Sequence, residues 1–142
     1  MAGVFFAFSS FVMPAFDRLP PAAAIAAMQS TNVTAVRPLF MTALFGTALA
    51  VIAVVILALL RRDEYHLGLL LLGAGLYLIG AIALTAFWHV PLNNGLDLLD
   101  PNQPDAAARW HDFYVSWTPW NHLRAISSLA AAAALISALL RD

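Results

Sequence analysis

No cysteine occurs in the 142-residue chain. That absence excludes a disulfide scaffold, a thiol redox enzyme, a Cys-ligated zinc or iron–sulfur site and covalent haem attachment. Lysine is missing too: the seven basic residues are all Arg and face eight carboxylates, for a net charge of −1. So weak a field cannot steer a polyanion, which excludes a nucleic-acid-binding face. Only 11% of residues are charged, against roughly 25% in an average soluble domain. A solvated surface cannot be assembled from so few charges, and 62% hydrophobic content excludes a disordered tail. Phosphate-cradling Gly-rich loops, a P-loop and a nucleophile elbow are absent as well. With a mean hydropathy of +0.80, the chain reads as a membrane protein.

What is present is a set of long apolar runs. A helix needs about 20 apolar residues to cross the ~30 Å hydrocarbon core. Leu39–Leu60 and Leu67–Trp88 are uncharged runs of that length. Ala125–Leu140 is a third, and Thr118-Pro119 just before it carries the residues of an N-cap and first helical position. A helix starting there holds Asn121, His122 and Arg124 in its first turns, close to the positive end of the helix dipole. Met1–Phe16 is uncharged but shorter. Without a cationic leader or a small-residue cleavage site it is not a secretory signal, and it reads as a first span whose natural start could lie upstream of Met1.

The expected fold is all-α, one integral-membrane domain over residues 1–142. It is an antiparallel four-helix transmembrane bundle with spans near 1–17, 38–61, 66–90 and 119–141. Two short non-spanning helices, near 21–36 and 104–117, lie on one membrane face. Pro91 ends the third span, and Asn93-Asn94-Gly95 carries a strong turn signal. Arg61 and Arg62 in the short 61–66 loop, with Arg141, place that loop and both termini in the cytoplasm by positive-inside counting. The expected location is the bacterial inner membrane. Ala130, Ala134 and Ala138, Gly46 with Ala50, and the glycines at 68, 73, 75 and 80 are the expected helix contact faces.

Polar residues within spans are costly and usually face a bundle interior or a cavity. Asn121, Arg124 and Ser128 stand at i, i+3 and i+7, one stripe, with His122 about 100° round from Asn121 at helical spacing. Gln29 and Asn32 share a face of the 21–36 helix. Together with His89 and Asn93 these residues can converge at one end of the bundle. Each has a plainer role open to it: a turn for Asn93, snorkelling for Arg124. Three His on that side, His89, His111 and His122, are the alternative metal set, without the i, i+3 or i+4 pairing of a helical site. Segment 104–117 puts Trp110, Phe113, Tyr114 and Trp117 on one stripe, opposite Asp105, Arg109 and Asp112. The stripe suits interfacial anchoring. All four Trp (Trp88, Trp110, Trp117, Trp120) lie on one side, however, which favours a pocket.

Four blocks in order, Phe8-Ser9-Ser10-Phe11-Val12-Met13-Pro14, Ala27-Met28-Gln29-Ser30-Thr31-Asn32, Val90-Pro91-Leu92-Asn93 and Trp117-Thr118-Pro119-Trp120-Asn121-His122-Leu123-Arg124, resemble the anthrone oxygenase-like family of small four-helix membrane proteins. The resemblance covers essentially the whole chain, and the Trp-x-x-Trp-Asn-His-x-Arg block is its most specific part. It implies O2-dependent oxidation of an anthrone to an anthraquinone without a recognised cofactor. It implies catalytic roles for His122, Asn121, Arg124 and Asn93, with Gln29 and Asn32 as weaker, substrate-contacting candidates; His89 as a further catalytic residue and Trp120 and Trp88 as substrate contacts are expectations from the residues themselves. The chain departs from the family at His89, where Asn is common, which turns that position toward a base or a metal ligand.

The chemistry is coherent on its own terms. An anthrone C–H beside a carbonyl and two aryl rings is acidic, and its anion can itself reduce O2. The protein then needs a base near neutrality, His122 or His89, donors for the oxyanion from Asn121, Asn93 and Arg124, and aromatic walls for a flat polycycle. The implied partners are a hydrophobic planar small molecule, O2 and the lipid bilayer, with a homo-oligomer or membrane partner compatible; no cofactor is expected, a metal being the alternative. Two competing readings are a non-enzymatic membrane subunit packing against a partner and a His-based metal-binding protein.

Overall fold

The computed structural model describes residues 1–61 and 66–140. Among these the chain is helical throughout, without strands. It forms five helices: α1 (Ala2–Phe16), α2 (Pro21–Ala35), α3 (Pro38–Leu60), α4 (Leu67–Asp97) and α5 (Ala106–Leu139). Arg62 and Arg141, which carry much of the orientation argument, lie outside the described residues.

Proline departs from its expected punctuation. Pro20-Pro21 and Pro38 do open helices, as a residue without an N–H can at the first helical position. Pro91 does not stop α4, which runs on through the Asn93-Asn94-Gly95 sequence to Asp97. Thr118-Pro119 does not start a helix either: α5 is continuous from Ala106, and Pro119 lies in its interior. The separate 104–117 helix is therefore the first half of α5. Pro14 is likewise interior to α1. An interior proline lacks its hydrogen bond and its ring presses on the carbonyl four residues back. Two of the three sites answer with a wider turn: π-helical segments Phe8–Val12 and Thr85–His89 each end two residues before Pro14 and Pro91. A further π segment, Leu78–Ala83, precedes the second of these in α4.

Two cores hold the helices. Phe5, Leu44, Ala48, Val51, Tyr77, Ala81, Ala125 and Ala131 join α1, α3, α4 and α5. Met13, Ile25, Met28, Leu96, Trp110, Phe113 and Trp117 join α1, α2, the end of α4 and the first half of α5. The aromatic stripe of 104–117 thus packs inside the protein, with Asp105, Arg109 and Asp112 exposed. It does not form an interfacial anchor. Trp110 Nε1 donates to Asp17 Oδ1 at 2.8 Å, tying the stripe to the end of α1.

The α4–α5 contact is close because two glycines permit it. A Cβ on Gly80 would collide with Ser127 Cβ, and one on Gly73 would lie 2.7 Å from Leu135 Cγ and 3.1 Å from the Ala131 carbonyl. Gly46, Gly68 and Gly75 have open space. The face of α5 that meets α4 runs through Ser127, Ala131 and Leu135 to Ala138, which packs with Leu70; of the expected stripe Ala138 lies on it, while Ala130 and Ala134 are only partly buried.

Helices α3 and α4 are long and apolar enough to cross a membrane; α1 is apolar but shorter. Only 22% of the α3 span is buried within the protein, unlike the core helix of a soluble domain. Leu39, Phe45, Leu49, Ile56, Leu57 and Leu60 are all exposed.

Candidate functional site

A cavity of about 510 Å³ lies between the two cores, with walls from all five helices. Phe5, Phe8, Met28, Phe40, Met41, Leu44 and Trp117 make most of its surface apolar, and Thr85, His89, Asn93, Asn32 and Arg124 also line it. Its size falls within the range of small-molecule sites, about 300–1,000 Å³.

Arg124 is the unusual residue. The residue is 6% exposed, and the Arg109–Asp105 ion pair lies elsewhere. In place of a carboxylate it has Asn121 Oδ1 at 2.7 Å from Nη2 and Thr85 Oγ1 at 3.1 Å from Nη1. The guanidinium also lies over the Phe5 ring at 4.5 Å and the Trp117 ring at 5.2 Å. Its Nε has no partner. A buried cation of this kind is usually paired; the carboxylate that lines the same cavity, Asp97, accepts from Asn32 instead.

Asn121 is wholly buried and sets the position of Arg124. Its Nδ2 donates to the Phe5 carbonyl and to Ser9 Oγ, both at 2.8 Å, which turns its oxygen toward the guanidinium. These bonds fasten α5 to α1. Both residues sit mid-helix, because α5 begins at Ala106. The dipole of a helix N-terminus therefore contributes nothing here, contrary to the expectation from Thr118-Pro119.

His89 is 1% exposed. Its Nδ1 lies 3.2 Å from the Leu84 carbonyl. A carbonyl only accepts, so the imidazole carries a proton on Nδ1. Nε2 is buried as well. The imidazole meets Trp117 edge-on at 5.0 Å, and Trp117 Nε1 donates to Asn93 Oδ1 at 2.9 Å. Trp117 thus touches both His89 and Arg124 and is itself held by Asn93.

Asn121, Arg124, His89 and Asn93 are accordingly brought together. Asn32 joins the cavity wall and donates to Asp97 Oδ1 at 2.9 Å. Gln29 does not line the cavity: its Nε2 donates to the Leu96 and Leu99 carbonyls, both at 2.9 Å, closing the end of α4. Trp88 and Trp120 pair with each other at 4.7 Å outside the cavity, and Trp88 Nε1 donates to the Ser116 carbonyl. His122 is exposed and absent from the cavity wall, because one residue past Asn121 the helix has turned away. His111 is exposed as well. The three His therefore do not converge, and no cluster of three metal-ligating side chains occurs among the described residues.

Thr85, Phe5 and Ser9 complete the site. Thr85 stands four residues before His89, a spacing that places both on one helix face and was the available signal for it. Nothing in the local sequence marks the Phe5 carbonyl as a ligand for Asn121.

Fold and site together describe an all-helical, apolar protein with a deep aromatic cavity, a buried cation and a buried imidazole. A family model described as anthrone oxygenase matches residues 36–134, and the chain belongs to that family. None of the curated proteins matches the chain. Nor does any solved structure.

Proposed function

We propose that the chain is a membrane-embedded oxygenase that removes a proton from a planar phenolic, anthrone- or quinol-type molecule and lets the resulting anion react with O2. One observation carries this reading: a buried guanidinium bound by Asn121 and Thr85 and a buried imidazole line one aromatic-walled cavity. His89 Nε2 is the base. Arg124 receives the oxyanion that forms as the C–H proton leaves, a charge-assisted bond that strengthens only as charge develops. Trp117, Phe5 and Phe8 hold the flat rings. Asn121 positions Arg124, and Asn93 positions Trp117.

For an anthrone the sum is a ring CH2 plus O2 giving a ring C=O plus water. The anion's carbon bonds one oxygen atom of O2; the protonated imidazole returns its proton to the distal oxygen. The O–O bond then breaks as the second C–H proton departs, and water leaves. The carbon loses four electrons and O2 gains four. The substrate anion is the reductant, so this reading invokes no cofactor.

The exposed apolar faces of α3 and α4 support insertion in a bilayer. We assign α1 and the apolar half of α5 as the two further spans of an antiparallel four-helix arrangement. The location is the bacterial inner membrane, with the 61–66 loop and both termini cytoplasmic. Neither a second copy nor a partner is required.

The test is oxygen uptake by the detergent-purified protein with anthrone as the probe. Equimolar O2 consumption and anthraquinone formation, lost in His89→Ala and Arg124→Met, is the expected result. Uptake that these variants leave unchanged overturns the roles given to His89 and Arg124; no uptake at all overturns the reading in favour of a non-enzymatic membrane subunit.

A further inference from the structure

Four polar side chains of α4, Thr85, His89, Asn93 and Asp97, recur every four residues, and all four line the large cavity. Twelve residues of helix span about 18 Å, so this stripe runs further than three fused rings reach. Its two ends differ. At the first, Arg124 Nη1 lies 3.1 Å from Thr85 Oγ1, and both Arg124 and His89 are buried. At the other, Thr34, Asn94 and Asp97 are exposed and form a rim beside the buried Asn32. The cavity therefore holds a guanidinium inside and a carboxylate at its mouth.

The reaction proposed above uses Arg124, His89 and, through Trp117, Asn93. It leaves Asp97 without a part. The helix does not call for that residue either. Asp97 ends α4, where a carboxylate faces the negative end of the helix dipole, an unfavourable place for it. The bond it accepts, from Asn32 Nδ2 to Oδ1 at 2.9 Å, comes from a neutral amide. A carboxylate offers two oxygens and about four acceptor sites. One bond from Asn32 holds the group at the rim and leaves capacity for a donor arriving in the cavity.

We propose that Asp97 sets the specificity of this cavity, accepting a hydrogen bond from a hydroxyl or ammonium group on the trailing ring of a planar ligand whose acidic nucleus lies toward His89 and Arg124. A ligand with a carboxylate in the trailing position is repelled. The proposal rests on reading the cavity as the substrate site, and it adds a direction: the nucleus enters first, and the polar end stays at the rim.

Binding under argon to the detergent-purified protein tests this without turnover. Quenching of tryptophan fluorescence is followed with three probes: anthrone, anthrone bearing a hydroxymethyl group on an outer ring, and anthrone bearing a carboxylate at the same position. Wild type is expected to bind the hydroxymethyl probe about tenfold more tightly than anthrone, the scale of one hydrogen bond to a charged group. The carboxylate probe should bind more weakly than anthrone. Asp97→Ala should level the three. Asp97→Lys should invert the order, making the carboxylate probe the tightest, a reversal that losing a merely structural bond to Asn32 would not produce. Asp97 is exposed, so both variants should fold, and the order in wild type is decisive without them. No preference in wild type, a preference that Asp97→Ala leaves intact, or no binding of any probe overturns the proposal. The oxygenase reading fails separately: the expected order without oxygen uptake overturns that reading alone, and uptake on anthrone with an order indifferent to Asp97 overturns this inference alone.

Discussion

Arg124 Nη2 lies 2.7 Å from Asn121 Oδ1, one turn earlier on the same helix. Since Asn121 spends its amide protons on the Phe5 carbonyl and Ser9, the guanidinium is steered by α1 through a residue of α5. This makes the cation a fixed element of the cavity, oriented before any ligand arrives. It also separates two roles that one substitution can confuse, holding helices together and holding charge.

Arg124→Lys should distinguish them. Ammonium keeps the charge but cannot reproduce the planar fork that reaches Asn121 and Thr85 together. Turnover of anthrone is expected to fall about 10²–10³-fold, the usual cost of removing an oxyanion donor. Arg124→Met should lose activity as fully yet unfold near the wild-type temperature, because replacing a buried charge by an apolar side chain of similar size is often neutral. Oxygen-uptake kinetics and thermal unfolding in detergent check the pair.

His89→Ala should lower kcat by about 10²–10⁴-fold, the range for losing a general base. His122→Ala should leave kcat and KM near wild type, because that side chain is exposed and off the cavity wall. Activity lost with His122 and retained without His89 would reverse the assignment. Steady-state oxygen uptake on the two variants is sufficient.

Pro91→Ala should test whether the π turn holds His89 in place. The Thr85–His89 π turn sits just before Pro91, and an alanine there allows the segment to close into a regular α-helix. Removing one residue's worth of widening rotates the flanking faces by about 100° relative to one another, which withdraws His89 from Trp117. The expected outcome is a lowered unfolding temperature together with substantially reduced turnover; both left unchanged would show that Pro91 does not hold the turn.

Gly80→Ala should destabilise by about 1–3 kcal/mol, the usual cost of overpacking, since its Cβ would collide with Ser127 Cβ. Adding Ser127→Gly should recover much of the loss. Gly75→Ala, with open space around it, should be neutral or mildly stabilising. A double-mutant cycle on unfolding temperature measures the coupling.

The helices were largely legible because their signals are local. Apolar runs without charge define α3 and the first part of α4, and period-3.6 spacing predicted which face of 104–117 is buried. The same spacing placed Asn121, Arg124 and Ser128 on one stripe, and all three are buried; taken strictly, it already turned His122 away. The errors cluster at proline. Pro91 and Pro119 read as a stop and a start because an isolated helix cannot absorb the missing hydrogen bond. Packed against neighbours, α4 absorbs it by widening into a π turn, and the Trp88 indole reaches the Ser116 carbonyl near Pro119.

Sequence by itself determined the solvent this chain tolerates, the residue types available for chemistry and the short list of polar groups near the spans. Those follow from composition and from spacing along one helix. Which of the listed groups meet was decided by tertiary structure alone. The azimuth of a side chain on its own helix says nothing of where a second helix sits, and each π turn shifts every downstream face by about 100°. Asn121 found its partners in α1, more than a hundred residues away in sequence, and His89 became a candidate base only because the Leu84 carbonyl claims Nδ1 while the packing of Trp117 keeps the imidazole in place.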